Sequence, residues 1–361
     1  MFYHLFYPLT KYFFPFNVFQ YITFRAGGAV LTALIISFFI TPPIIRWLKK
    51  LHAEQHIRED GPATHLAKAG TPSMGGLIIL ITLVSSTLLW ARLNNRFIIW
   101  ILAATIWLGF LGFLDDYLKV VRKHSRGLSA PAKLAGQFFL GIILAVYLYL
   151  FPLNPEYVTK INIPYLKEVF INLGILYIPF VVLVIIGASN AVNLTDGLDG
   201  LAIGSLIFSS LTYAVIAYLV GNIKFSAYLR IIPVSGSGEL TVFLAALVGA
   251  GLGFLWFNSY PAEIFMGDTG SLFLGGAIGM TAIFVKHEVL LLIVGGIFVA
   301  EALSVIIQVG SFKMRGKRVF KMAPLHHHFE LQGMPEPKVV IRFWIIAIIL
   351  SLVALSSLKL R

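Results

Sequence analysis

The chain reads FIIWILAATIWLGFLGFL at residues 97–114, and Asp115 and Asp116 follow directly. A helix that crosses the hydrocarbon core of a bilayer needs about 20 predominantly apolar residues. This run holds no charged residue, so it predicts a membrane-spanning helix whose end meets two adjacent carboxylates. Other apolar runs of this kind decide the fold, and the acidic residues at their ends are the candidates for function.

The composition is that of an integral membrane protein. Of the 361 residues, 58% are hydrophobic and only 12% are charged, whereas an average soluble domain carries about 25% charged residues. A soluble enzyme, a disordered chain and a nucleic-acid-binding protein are therefore excluded, although the net charge is +12. The chain has no cysteine, which also excludes disulfides, cysteine-ligated zinc, iron–sulfur clusters and thiol catalysis.

The apolar runs predict an all-α, polytopic membrane protein with about ten transmembrane helices. The predicted spans lie near residues 26–45, 75–91, 97–114, 134–152, 173–192, 201–219, 240–257, 271–285, 289–310 and 339–358. Residues 1–24 are rich in Phe and Tyr and are expected to lie at the membrane interface, where aromatic side chains are enriched. We expect residues 1–361 to form one transmembrane domain that carries the functional site.

Ten spans place alternate loops on opposite sides of the membrane. The loops that share one side are 46–74, 115–133, 193–200, 258–270 and 311–338, and they hold 16 of the 28 Lys and Arg residues. Cytoplasmic loops carry the excess of Lys and Arg, so this side is predicted to be cytoplasmic and both termini are predicted to lie outside. All six aspartates lie on the same side, which predicts a carboxylate site at the cytoplasmic surface.

Asp115 and Asp116 are placed unfavourably for the end of a helix. Carboxylates there face the negative end of the helix dipole, at a cost of about 0.3–1 kcal/mol each, and these two also repel each other. A cation is expected to offset that cost, either Lys119 one turn later or a bound Mg²⁺. The alternative is a charged helix end that simply stops at the lipid headgroups.

A glycine-rich loop carries the next candidates. Asn193, Asp196 and Asp199 recur every three residues, and they share a face if the loop winds into the next helix. The intervening glycines let the backbone approach a ligand closely. Helix capping by Thr195 or Asp196 is the alternative interpretation.

The segment from Asn258 to Ser271 precedes another predicted span and contains Phe265 and Asp268. A helix beginning near Ser271 would offer free N–H groups to a phosphate, and Asp268 could hold the metal ion that the phosphate needs. The alternative is that Asp268 or Thr269 only caps this helix.

Three consecutive histidines, His326, His327 and His328, follow a basic run from Lys313 to Arg318. On a helix such histidines point about 100° apart, so they are a poor metal site, but one or two could contact phosphate or carry protons. The basic run is typical of a lipid-headgroup anchor. Lys68 and Ser73 lie in a glycine-containing loop that could cradle phosphate or form a plain turn.

These motifs together resemble those of the polyprenyl-phosphate N-acetylhexosamine-1-phosphate transferases. They occur in the order that the family shows, and they span most of the chain. The motifs are Lys68-x-Gly-Thr-Pro-Ser-Met-Gly-Gly76, Asp115-Asp-x-x-Lys119, Asn193-x-x-Asp-Gly-Leu-Asp-Gly200, Asn258-x-x-Pro-Ala-x-x-Phe-Met-Gly-Asp-Thr-Gly-Ser271 and Met322-Ala-Pro-Leu-His-His-His-Phe-Glu330. The histidine element resembles the muramoyl-pentapeptide branch. Ser73 stands where Thr is expected, and it keeps the hydroxyl group.

The resemblance implies an Mg²⁺-dependent enzyme of the bacterial inner membrane, often dimeric, with its active site facing the cytoplasm and its termini in the periplasm. Undecaprenyl phosphate would attack the β-phosphate of UDP-N-acetylmuramoyl-pentapeptide, giving lipid I and UMP. The implied metal ligands are Asp268, Asp115 and Asp116. The same three residues and His326, His327 and His328 would be catalytic. The implied substrate-binding residues are Lys68, Ser73, Lys119, Asn193, Asp196, Asp199, Asn258 and Phe265, with Phe265 stacking on uracil.

Some alternatives stay open at this point. The lipid phosphate could attack directly, or an aspartate could attack first and form a phosphoryl-enzyme. A sister transferase that uses a UDP-N-acetylhexosamine without the peptide is a close rival. A transporter for a divalent cation or an anion is a distant one, because the predicted spans hold almost no ionisable residue apart from Glu301, whereas transport paths are lined by such residues.

Overall fold

The computed structural model describes residues 1–51, 70–122, 127–152, 154–166 and 169–360. The α-helices are α1 (Phe2–Phe6), α2 (Ile22–Lys50), α3 (Gly76–Trp90), α4 (Arg96–Val120), α5 (Ala130–Leu150), α6 (Tyr177–Thr195), α7 (Leu201–Val220), α8 (Ile223–Leu229), α9 (Leu240–Asn258), α10 (Gly267–Phe284), α11 (Leu291–Val294), α12 (Gly296–Arg315), α13 (Leu325–Glu330) and α14 (Glu336–Ser356). Two short strands, β1 (Lys160–Asn162) and β2 (Phe170–Asn172), pair in antiparallel fashion.

The predicted all-α, polytopic membrane architecture is confirmed. Within the described ranges, eight helices are long and apolar enough to cross a membrane, namely α2, α4, α5, α6, α7, α9, α12 and α14. The two remaining predicted spans also fold as helices. Of these, α3 is apolar but has only 15 residues, and α10 is rich in glycine.

The helix α10 lies at the centre of the bundle, and every residue from Thr269 to Phe284 is buried. Small residues permit this position. A Cβ atom on Gly275 would overlap the backbone of α6, and one on Gly276 would overlap Leu108 of α4. Because protein rather than lipid surrounds α10, its sequence does not need the hydropathy of an exposed span.

Two features differ from the sequence expectation. The predicted span 289–310 is divided into α11 and α12 at Gly295, and α12 continues to Arg315. The hairpin of β1 and β2 lies between α5 and α6, where no element was predicted. The aromatic N-terminal segment packs in part on Trp90, with the ring centroids of Phe2 and Trp90 5.1 Å apart.

The fold gathers four helix ends at one place. The C-terminal ends of α4 and α6 meet the N-terminal ends of α5 and α10, and these ends carry Asp115, Asn193, Lys133 and Asp268. We call this the site end of the bundle. The N-terminal ends of α2, α6 and α9, which carry Arg25, Tyr177 and Glu239, lie at the opposite end.

Candidate active site

Three aspartates from two helices converge at the site end. Asp115 and Asp116 lie near the end of α4, Asp268 lies at the start of α10, and one carboxylate oxygen from each is within 4.8 Å of the other two. Asp115 and Asp116 are buried, and Asp268 is partly exposed. Gly112 permits the approach, because a Cβ there would overlap the carbonyl of Asp268. The predicted gathering of these aspartates is confirmed, and the group could bind a metal ion.

Two lysines contact this cluster. The Lys119 ammonium lies 2.5 Å from Oδ2 of Asp115 and 3.2 Å from Oδ2 of Asp268. The Lys133 ammonium donates to Oδ2 of Asp115 at 2.8 Å and to Oδ2 of Asp268. Asp115 and Asp268 therefore share the two ammonium groups, and Asp116 makes no ion pair among the described residues. The cluster has an excess of negative charge when all three carboxylates are ionised.

Lys133 was not predicted from the sequence, although a signal was present. It lies in the first turn of α5, whose N-cap is Ser129, and a cation there faces the positive end of the helix dipole. That placement is as unfavourable as the one that singled out Asp115 and Asp116. An unfavourable charge at each of two helix ends indicates that the two ends meet.

Asp116 is bound differently from the other two aspartates. Its carboxylate accepts hydrogen bonds from the backbone N–H of Asp268 at 3.1 Å and from that of Thr269 at 2.8 Å, and from the Thr269 hydroxyl at 2.6 Å. Asp116 therefore caps α10 from another helix. The expectation that α10 begins near Ser271 with free N–H groups for phosphate is wrong: the helix begins at Gly267, and Asp116 already uses two of those groups.

The first glycine-rich motif reaches the cluster from α6. Nδ2 of Asn193 donates to Oδ1 of Asp268 and to the hydroxyl of Ser271, both at 2.8 Å. Asp196 follows the end of α6. Loss of hydration and the carboxylates of Asp268 and Asp116 raise the pKa of Asp196 to about 7, although the backbone N–H of Gly267 donates to it.

Asp199 and Asn258 join the two glycine-rich loops to each other, and both side chains are buried. Oδ2 of Asp199 accepts from the backbone N–H of Ala262 at 3.0 Å. Oδ1 of Asn258 accepts from the backbone N–H of Gly200 at 3.1 Å, while its Nδ2 donates to the carbonyl of Ile264 at 2.8 Å. These contacts shape the site; direct binding of substrate by either residue stays a prediction.

The loop before α3 lies beside the motif from Asn258 to Ser271. Gly75 donates to the carbonyl of Phe265 at 2.8 Å, and Phe265 donates to the carbonyl of Pro72 at 2.9 Å. Ser73 is buried, and the Phe265 side chain is half-buried. Lys68 lies outside the described residues, so its predicted role is untested.

The three histidines of α13 have different partners, as their spacing predicts. His326 is buried beside Glu301, with 3.3 Å between Nδ1 and Oε2. His327 contacts Glu330 at 2.9 Å, and Nδ1 of His328 accepts from the backbone N–H of Lys321 at 3.1 Å. They do not form one metal site; the described residues bring together a possible metal-binding group only at Asp115, Asp116 and Asp268.

Comparison with known proteins gives the same family along the whole chain. Residues 98–286 match the model of glycosyl transferase family 4, and residues 68–80 match signature 1 of phospho-N-acetylmuramoyl-pentapeptide-transferase. Proteins of that name from Endomicrobium trichonymphae, Citrifermentans bemidjiense and Thermodesulfovibrio yellowstonii are 57%, 56% and 54% identical to it, each over 100% of both chains. Since the likeness covers every motif that forms the site, the chain belongs to the phospho-N-acetylmuramoyl-pentapeptide-transferase family.

Proposed function

We propose that this protein transfers phospho-N-acetylmuramoyl-pentapeptide from UDP-N-acetylmuramoyl-pentapeptide to undecaprenyl phosphate, giving lipid I and UMP. The observation that carries the proposal is the aspartate cluster at the ends of membrane helices. A site there can receive a soluble nucleotide from the water and a phosphate whose tail stays in the lipid. The names of the full-length relatives support the muramoyl-pentapeptide donor over a donor without the peptide.

The donor atoms of the cluster fit Mg²⁺. They are carboxylate oxygens only, and Mg²⁺ is usually held by one or two carboxylates together with substrate phosphates. We assign Asp268 and Asp115 as the ligands, because the donors on their Oδ2 atoms are lysine ammonium groups, which can move, whereas Asp116 is held by the backbone N–H groups at the start of α10. A bound Mg²⁺ would supply the positive charge that the cluster lacks and would neutralise phosphate oxygens.

The surrounding residues suit the rest of the donor. Asn193 and Asp196 border the cluster from α6, and Phe265 lies on the facing loop. We assign the nucleoside to these residues with Asn258 and Lys68, and the diphosphate or sugar to the histidine segment. Lys119 and Lys133 would hold phosphate oxygens that are negatively charged throughout the reaction.

Direct attack by the lipid phosphate fits the site better than a phosphoryl-enzyme. A phosphate monoester has its second pKa near 6, so the acceptor is already largely dianionic near neutral pH. An oxygen of the acceptor would form the new bond to the β-phosphorus, and the bond to the UMP oxygen would break. The oxygens of Asp116 and Asp268 are already engaged by hydrogen-bond donors, which suits positioning rather than nucleophilic attack.

The test is release of UMP by the detergent-solubilised protein, with undecaprenyl phosphate as acceptor. The muramoyl-pentapeptide donor should be used, and UDP-N-acetylglucosamine should not; the reverse preference would identify the sister transferase. Asp268→Asn should abolish UMP release. Glu156→Gln changes an exposed carboxylate between α5 and β1 and should leave UMP release unchanged. Full activity of Asp268→Asn would refute the proposed role of the cluster. An acid-stable phosphoryl-enzyme formed without acceptor would refute direct attack.

The orientation of the site is also a proposal, and the absence of cysteine makes it testable. Single cysteines can replace the exposed residues Glu263, beside the site, and Lys224, beside the opposite end. In intact cells a membrane-impermeant maleimide should label Lys224→Cys and not Glu263→Cys. If Glu263→Cys is labelled and Lys224→Cys is not, the site faces the outside of the cell.

A further inference from the structure

Glu301 is a buried carboxylate that is not part of the aspartate cluster. It lies in the second turn of α12, a helix with only four buried residues, Ile297, Phe298, Glu301 and Ser304. A carboxylate without water is costly unless it is paired and hydrogen-bonded. The position of Glu301 in a membrane helix therefore requires a partner.

His326 supplies two contacts to that carboxylate. Its backbone N–H donates to Oε1 of Glu301 at 3.2 Å, and its Nδ1 lies 3.3 Å from Oε2, with both side chains almost wholly buried. In the part of the chain that the structure describes, His326 is the only ion-pair partner of Glu301. The α12 carboxylate thus holds both the backbone and the ring of the first histidine of α13.

The ring of His326 is directed at the site. Its Nε2 packs against Gly197, and a Cβ on that residue would overlap Nε2. Gly197 follows Asp196 in the loop that contacts Asp268 through Asn193. Nε2 is buried and makes no hydrogen bond, and the Nδ1–Oε2 contact lacks good hydrogen-bond geometry. Buried polar atoms in this state are uncommon in proteins, and a catalytic role is one of the explanations for them.

We propose that Glu301 is a positioning residue for the transfer reaction and that it acts through His326. The negative charge on its carboxylate, 3.3 Å from Nδ1, favours the tautomer with the proton on Nδ1. Its Oε1 holds the backbone, so that Nε2 is the nitrogen presented to the loop from Asn193 to Gly200. A carboxylate that accepts from one ring nitrogen commonly fixes the tautomer and orientation of a functional histidine in this way. The inference rests on the proposed function, in which the histidine segment serves the donor.

The kinetic test compares Glu301→Gln, His326→Gln and the double variant in UMP release. Each single variant should lose on the order of 10- to 100-fold in kcat/KM, with the same division between kcat and KM in both. The double variant should be no slower than His326→Gln, because the two residues act as one unit. Glu301→Asp should recover part of the loss. Additive losses, or wild-type rates in Glu301→Gln, would overturn the proposal.

Two further variants separate positioning from folding. Gly197→Ala leaves Glu301 in place but displaces Nε2, so it should reproduce the kinetic loss of His326→Gln. Glu288→Gln removes another buried carboxylate at the opposite end of α10, and its folded fraction should keep the wild-type kcat. If Glu288→Gln and Glu301→Gln lose activity equally, the effect is one of folding and the positioning role is wrong.

Nitrogen NMR of histidine-labelled protein tests the pair without any turnover. The signals of His326, assigned by their loss in His326→Gln, should report a protonated Nδ1 in the wild type and a changed tautomer in Glu301→Gln. A proton on Nε2 in the wild type would contradict the proposal. If no UMP is released at all while the NMR result holds, the proposed reaction fails and the pairing stands.

Discussion

The two ends of the bundle differ in how their buried acidic side chains are paired with cations. At the opposite end each acid has its own cation: Arg25 donates to both oxygens of Glu239 at 2.7 and 2.6 Å, and the Lys286 ammonium lies 3.3 Å from Glu288. At the site end, Asp115 and Asp268 share Lys119 and Lys133, and the third carboxylate of the cluster, that of Asp116, makes no ion pair among the described residues. Nineteen residues of α9, about 28 Å of helix, separate Glu239 from the loops of the site.

The difference separates charges that hold the fold from charges that serve a ligand. A balanced buried pair avoids the free-energy cost of an isolated charge, and removing one partner exposes that cost. An unbalanced group is destabilising by itself, and a cation that binds it recovers the free energy. The excess of carboxylates at the site end is therefore a group that a metal ion could neutralise, and the opposite end offers no comparable excess among the residues described.

The largest effect on stability is expected at the balanced end. Glu239→Gln leaves Arg25 buried without its carboxylate, which should lower the free energy of unfolding by about 3–5 kcal/mol. UMP release per folded molecule should stay at the wild-type level. Thermal unfolding in detergent measures the first quantity, with Glu156→Gln as the control. A stable but inactive Glu239→Gln would show that the two ends are not separate in function.

A smaller effect is expected when a cation is removed from the unbalanced end. Lys133→Met deletes the ammonium that bonds Asp115 and Asp268, and a hydrogen bond between charged groups contributes about 1.5–3 kcal/mol. The loss of stability should be seen with a chelator and should shrink when Mg²⁺ is added, because the metal ion replaces part of the missing charge. Equal destabilisation with and without Mg²⁺ would argue against a shared role for lysine and metal.

An effect that depends on pH is expected at Asp196. Its pKa in the folded protein is about 7, above that of an exposed aspartate, so the folded state binds this proton more tightly than the unfolded chain. The contribution of Asp196 to metal-free stability is therefore complete below about pH 4 and is lost as the pH rises through about 7. Asp196→Asn should flatten this part of the stability profile in a chelator. An unchanged slope would contradict the assigned environment.

The spans and the aspartates were predictable because each leaves a local trace. An apolar run such as 97–114 has the length of a membrane helix and indicates one directly. A carboxylate pair at its end is locally unfavourable, and it therefore indicates that a cation lies nearby. The cap that Asp116 provides to α10 and the contact of Lys133 with Asp268 each join two helices, and each joins residues more than a hundred positions apart. Spacing along the chain carries no record of which helix ends meet.

The partner of His326 was hidden for a related reason. Glu301 stood out as an ionisable residue inside a predicted span, but its partner lies 25 positions later, beyond a basic segment. The break between α11 and α12 at Gly295 depends on packing, since the apolar pattern continues across it. A tertiary contact decides each of these features, whereas local chemistry decides the spans.

The most direct measurement of the central claim is an Mg²⁺ titration followed by thermal unfolding, with each variant compared with its own metal-free state. A ligand that binds only the folded state raises stability by mass action, by about 2.7 kcal/mol at one hundred times its Kd. The wild type and Glu156→Gln should show the same saturable rise in Tm, and Asp268→Asn should show none. A rise of equal size in Asp268→Asn, or no rise in the wild type, would contradict the assignment of the aspartate cluster as the metal site.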